Sequence, residues 1–208
     1  MKTREKILDA ARKAFDRGGL EGLSLRDVAA QVGITPMAIY RHFDSKDALV
    51  DALVLDALGE WSAIVAALPP GEGLTQLERG NEAFLDFALE RPRRFEAAFL
   101  VHSRKARRYP DDFIAGLSPA GSVQLRIIEK AMAQGVLEAS SPIEIMMTQS
   151  ALSQGLITLY RAGRIVGGEK EFREIYRSSM RRSLQSFMSK HKGKVRRIDG
   201  KASRRKRA

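Results

Sequence analysis

The 208-residue chain contains no cysteine, so disulfides, zinc–thiolate sites, iron–sulfur clusters and thiol nucleophiles are all excluded. Histidine is nearly as scarce. His42, His102 and His191 stand in three separate segments. HExxH, the phosphate-loop pattern GxxxxGKS/T and the dinucleotide pattern GxGxxG are all missing, and no carboxylates sit in a recognisable acid–base pair. The expectation is a protein that is not an enzyme and needs no cofactor or metal. Long apolar runs are lacking as well: Asp51, Asp56 and Glu60 interrupt the longest candidate, so no membrane span is expected. The opening MKTREKILDAARKAF has no continuous apolar stretch behind its charges. It does not read as a secretory signal, and a cytoplasmic location is expected.

Charge is abundant but unevenly placed. The net charge is +11. Residues 1–50 hold 9 basic and 7 acidic side chains, residues 51–188 hold 17 of each, and residues 189–208 hold 10 basic side chains against the single acid Asp199. The body is therefore close to neutral, and the basic balance belongs mostly to a tail that reads as disordered. A basic isoelectric point alone then says nothing about nucleic acid. That argument must come from the N-terminal third.

Apolar residues recur at helical spacing almost throughout, and no segment alternates as a strand would. The fold class expected is all-α. A first helix from about Thr3 to Arg17 carries Ile7, Leu8, Ala11 and Phe15 on one stripe, and Gly18-Gly19 ends it. Ser24 with Asp27 three residues on opens a second helix, whose Val28, Ala29 and Val32 face inward and which Gly33 stops. Thr35 caps a third, PMAIYRHF, with Pro36 at the first helical position. Ser45 caps a long helix to about Leu68, and Pro69-Pro70-Gly71 follows. Further helices are expected near 74–90, 92–107, 119–136, 142–163 and 169–188, with breaks at Pro92, Pro110, Pro119, Pro142 and Gly167-Gly168.

The densest signal is Ser24 to Lys46, SLRDVAAQVGITPMAIYRHFDSK: two short helices joined by a tight turn at Gly33, the helix-turn-helix pattern. In that pattern the second helix enters the DNA major groove while the first braces it. Stepping 100° per residue puts Pro36, Ile39 and Phe43 toward the core, Met37 and Arg41 opposite, and Ala38 and Tyr40 on the flanks. Arg41 can donate to guanine edges. Met37 and Ala38 suit thymine methyls, and Tyr40 suits sugar or phosphate. Ser24, Thr35 and Lys46 are phosphate candidates.

These residues carry a resemblance. The pieces ILDAARKAF, GGLEGLSLRDVAAQVGI, TPMAIYRHF and SKDALVDAL, from about Ile7 to Leu53, resemble the DNA-binding domain of the TetR family of bacterial transcriptional regulators. The resemblance implies that Arg26, Met37, Ala38 and Arg41 lie near bases, with Pro36 opening the recognition helix. It implies that Ser24, Thr35, Tyr40, His42 and Lys46 meet phosphate or the groove wall. It also implies a larger helical domain that dimerises and binds a small effector. The expected organisation is thus a three-helix helix-turn-helix domain over 1–50, an effector-binding and dimerisation domain over 51–188, and the basic tail over 189–208. The function implied is a ligand-responsive repressor binding a near-palindromic operator as a homodimer. The alternative is a constitutive DNA-packaging protein with no effector.

Candidate effector-pocket residues are Trp61, Phe84, Phe87, Phe95, Phe99, His102, Phe113, Met132 and Met147, a set that suits an apolar ligand. Candidate dimer residues are Ile145, Met146, Leu152, Leu156 and Leu159, on a helix with more apolar surface than one core face uses. The stretch ALSQGLITLYRAGRI resembles a helix that in some members carries a Trp-His-Gly signature. Ser153, Gln154 and Gly155 stand there in this chain, so no ligand role is carried onto them.

Overall fold

Ten helices follow one another in the computed structural model, which describes residues 2–71 and 73–189. The basic segment expected to be disordered lies, from Lys190 on, outside the described residues, as does His191. Helix α1 (Thr3–Gly18) buries Ile7, Ala10, Ala11, Ala14 and Phe15 and ends at Gly19, where φ is +63°. Helix α2 (Leu25–Val32) starts where Ser24 Oγ accepts from the Asp27 amide at 3.4 Å. It stops at Gly33, whose left-handed φ of +77° lets its N–H close on Ala29 and Ala30 carbonyls. An added Cβ at Gly33 meets nothing within 4 Å, so only the backbone objects to a side chain. Gly33→Ala is therefore expected to cost about 1–2 kcal/mol, the left-handed penalty alone, as a drop in the denaturant midpoint of the purified protein.

Helix α3 (Pro36–Ile39) is shorter than the two turns expected. The second turn is present but tightened: Arg41 and His42 amides reach back three residues, to Ala38 and Ile39 carbonyls, and Phe43 closes four back on Ile39. Ile39 and Phe43 are buried as expected, whereas Pro36 is exposed. Helix α4 (Lys46–Ala67) is capped by Ser45, whose Oγ accepts from the Ala48 amide at 3.0 Å. Its first half buries Leu49, Val50, Leu53 and Val54 among α1–α3, and its second half runs on into the larger helical body.

That body comprises α5 (Gly73–Glu90), α6 (Pro92–Phe99), α7 (Asp111–Ile114), α8 (Pro119–Ala133), α9 (Pro142–Arg161) and α10 (Glu169–Gln185). Helix α6 ends eight residues before the expected Arg107. Leu100 and Val101 amides both turn onto the Glu96 carbonyl, and Ser103 Oγ donates to the buried Asp51 carboxylate of α4 at 2.7 Å, drawing the chain off the helix axis. Helix α7 had no sequence signal beyond Pro110. After α10 the chain pairs Met188 with Leu137, the one strand-like bridge among the described residues. Two apolar clusters result. One is continuous from α1 through α4 to Phe95, Phe172 and Tyr176; a smaller one gathers Leu77, Ile128, Leu137, Ile145 and Leu184.

Candidate functional site

The end of the molecule formed by α2, α3 and the start of α4 displays the residues singled out for DNA. Met37 is 74% exposed and Tyr40 46% exposed. Arg26, Thr35, Pro36, Arg41, His42 and Lys46 are exposed as well, and Ser24 and Ala38 are half-buried. Ile39 and Phe43 anchor the opposite side of α3 in the core. The Arg4 guanidinium covers the Phe43 ring at 4.6 Å, which adds a cation beside the turn that the sequence did not flag. Ser24 and Thr35 both act as caps, Thr35 Oγ1 accepting from Ala38 at 3.3 Å. A cap uses an oxygen lone pair and leaves the hydroxyl proton for another acceptor. Among the described residues, no carboxylate lies within ion-pair distance of Arg26, Arg41 or Lys46, so their charges are uncommitted.

The second feature is a cavity of about 510 Å³ in the larger body. Helix α4 supplies Leu55, Leu58, Gly59, Trp61, Ser62 and Val65 to its wall; α5 supplies Gln76, Leu77, Asn81 and Phe84; α8 and α9 supply Val123, Gln124, Ile127, Met147, Gln149 and Ser150. Of the expected pocket residues, Trp61, Phe84, Phe99, Phe113 and Met147 line it. Phe87, Phe95, His102 and Met132 do not. Phe95 and Phe87 are buried in the continuous core, Met132 packs on the smaller cluster, and His102 is exposed on the turn after α6. Trp61, Phe84 and Phe99 pack edge to face, with centroids 5.0–6.3 Å apart, and form one apolar corner.

Ser153 and Gln154, to which no ligand role had been carried, line this wall too. Ser153 Oγ lies 2.6 Å from Tyr176 Oη, and that phenol donates to the Asn81 carbonyl at 3.0 Å. Since the phenol has one proton, Ser153 must donate to it. Burial pushes the Tyr176 phenol up, so it stays protonated in its donor role. Gln149 donates through Nε2 to Ser183 at 2.8 Å and leaves Oε1 without a partner. The expected dimer residues also divide. Ile145 and Met146 are fully buried within the chain, absorbed by the smaller cluster, and can offer nothing to a second copy. Leu152 and Leu156 are half-buried on the larger core, and Leu159 is 49% exposed.

Head and body are joined by charge. Asp56 of α4 receives Arg12 of α1 at 2.8 and 3.0 Å and also Arg94 of α6, while Glu60 receives Arg94 at 2.7 Å and Arg91. Burial alone would raise both carboxyls, but the arginine hydrogen bonds outweigh it and hold them below the ordinary carboxylate range. Helix α10 is tied to α5 by Arg173–Asp86 at 2.6 Å and the two-pronged Arg177–Glu82 contact at 2.7 and 2.8 Å. No helix of the described residues is long and apolar enough to cross a membrane.

Comparison with known proteins points the same way. Residues 7–53 match the family described as bacterial regulatory proteins, tetR family, and residues 77–183 match the tetracyclin repressor-like C-terminal domain. The uncharacterized HTH-type transcriptional regulator YobS of Bacillus subtilis is 26% identical over 54% of this chain, and the match spans 60% of YobS. The tetracycline repressor protein class A from transposon 1721 of Escherichia coli is 25% identical over 79% of this chain and 69% of its own. A solved protein of unknown function from Rhodococcus sp. RHA1 shares the fold, with TM-score 0.73 and 20% identity over 91% of this chain and 96% of that one. An exposed helix-turn-helix end and a separate helical body matched by the C-terminal family lead to one conclusion: the chain belongs to the TetR family of DNA-binding transcriptional regulators.

Proposed function

We propose that the protein is an effector-responsive repressor that binds a near-palindromic operator as a homodimer and lets go of it when a small molecule fills the cavity. The observation that carries this reading is the path of α4. One helix starts at the Ser45 cap among α1–α3 and ends as a wall of the cavity. A ligand that displaces its second half must tilt or shift the end that orients α3. In the twofold dimer this reading requires, two copies of α3 must sit about 34 Å apart to reach successive major grooves, so a small change in that angle is enough to spoil the register. Residues 1–50 then act as the reading head and 51–188 as the effector and dimer body. The outer faces of α9 and α10, with Ala151, Gly155, Leu159 and Ile175 exposed, serve as the surface between copies. A constitutive packaging protein has no use for a cavity on the helix that carries its reading head, and the cavity favours the regulator.

Met37, Ala38 and Arg41 read bases in this account, with Arg26 beside them. Ser24, Thr35, Tyr40, His42 and Lys46 hold phosphates. Arg41→Ala is expected to cost about 1–3 kcal/mol and to relax preference at one base pair of each half-site. Lys46→Ala is expected to weaken all sequences alike and to flatten the salt dependence by about one unit. Fluorescence anisotropy with an operator selected from random duplexes, titrated at several salt concentrations, checks both. The reading fails if the protein shows no sequence preference over bulk DNA at about 150 mM salt, where specific binders keep about 10³-fold or more.

A further inference from the structure

Resting on the reading of the cavity as a ligand site, we propose that its ligand is an apolar monocarboxylate. Its hydrocarbon body lies against Trp61, Phe84 and Met147, and its carboxylate is held by Arg107 at the mouth. The argument begins with the charge of the wall. Among the described lining residues Arg107 alone is formally charged; the rest are apolar, amide, hydroxyl or phenol. A cationic ligand entering this space finds no counter-ion, only the unpartnered amide oxygens of Gln76 and Gln149, whereas an anion finds a charged partner. Arg107 is also uncommitted, since no carboxylate of the described residues lies within ion-pair distance of it. The acids next to it in sequence do not serve. Asp111 and Asp112 are absent from the wall, and Asp112 accepts from the Arg108 backbone amide at 2.8 Å.

Position supports the assignment. Arg107 and Tyr109 both line the cavity and both face solvent, so they mark where it reaches the surface. The loop that carries them also presents Arg104, Lys105 and Arg108 to solvent, a concentration of positive charge that draws anions to the entrance. That loop is held in place by the Ser103–Asp51 bond to α4. An anion drawn to Arg107 therefore acts on a segment fastened to the helix that bears the reading head. An uncharged end would be equally content anywhere in the cavity. A carboxylate sets one direction, head out at Arg107 and tail toward the aromatic corner.

Trp61 is the only tryptophan in the chain and lines the cavity, so its emission reports occupancy directly. Full-length protein is titrated with decanoate, decan-1-ol and decylammonium below their micelle thresholds, and with octanoate as a shorter acid. Decanoate is expected to shift Trp61 emission saturably, to bind on the order of ten-fold tighter than decanol, and to exceed octanoate by about fifteen-fold, about four-fold for each of two buried methylenes. Decylammonium should bind weakest. Arg107→Gln should bring decanoate down to the decanol affinity without changing decanol, while Arg108→Gln, outside the wall, should leave the order intact. The inference is overturned if decanol or decylammonium binds as well as decanoate, if Arg107→Gln keeps the carboxylate advantage, or if no probe moves Trp61. The effector reading is judged separately, on operator release. Decanol or decylammonium that binds at least as tightly as decanoate and frees DNA upholds the effector site and sinks the carboxylate. Decanoate that binds through Arg107 but leaves the operator occupied does the reverse.

Discussion

Phe95→Ala is expected to lower the stability of the protein by about 3–5 kcal/mol, the usual cost of emptying a fully buried phenylalanine site. The ring is 0% exposed. It meets Phe84 at 5.3 Å and Phe99 at 5.2 Å between centroids, and the Arg161 guanidinium lies 5.9 Å from its centre. Truncation would leave a new void that these neighbours, fixed on three different helices, cannot close. Phe84→Ala provides the contrast. Phe84 is half-buried and already faces the cavity, so its removal enlarges a space that exists and is expected to cost about 1–2 kcal/mol less than the Phe95 change. Urea melts of the two variants and the parent, with operator binding measured at low temperature as a check on the native state, decide the matter. Equal losses would show that Phe84 is as much core as Phe95 and that the cavity is not a true opening.

That contrast also marks where the sequence stops being readable. The head is written locally. Ser24, Gly33, Thr35, Pro36 and Ser45 each act within four residues, through caps and one left-handed turn, and the helix boundaries they announce are those observed. The cavity is not written locally. Phe84 and Phe87 lie three positions apart on one helix face, yet one borders the void and the other is core, because the difference depends on where α4, α6 and α9 cross them. The same holds for α9. Its surplus of apolar residues suggested a surface for a second copy, but Ile145 and Met146 are consumed by α8, α10 and the turn at Leu137. Ser153 and Gln154 lack the signature of other members and so give no signal in the sequence, although both stand in the cavity wall, Ser153 held there by the buried Tyr176 phenol. The early end of α6 likewise needed knowledge of Asp51, fifty-two positions away.

Arg94→Met should loosen the junction between reading head and body. The Arg94 side chain is 11% exposed and bonds Asp56 and Glu60 together, one helical turn apart on α4. Methionine keeps much of the packing but leaves two carboxylates facing each other with only Arg12 and Arg91 beside them. Breaking a buried ion pair by removing one partner costs about 3–5 kcal/mol. Asp56 and Glu60 retain partial hydration and one arginine each, which reduces the expectation to about 2–4 kcal/mol. The pH dependence has a definite sign. Both carboxyls are held below their ordinary values in the folded protein, so their contribution is complete above about pH 4–5, the unfolded carboxylate range, and is lost as pH falls through the folded values. The gap between parent and variant should accordingly be widest near neutrality and should shrink on acidification below about pH 4. A gap that stayed constant with pH would mean that Arg94 acts through packing alone. On the repressor reading, in which α4 itself carries the signal, the variant is also expected to bind operator with near-parental affinity at neutral pH and to release it as fully as the parent when ligand fills the cavity. Incomplete release by the variant would mean that the signal needs the charged bridge between α1, α4 and α6 as well.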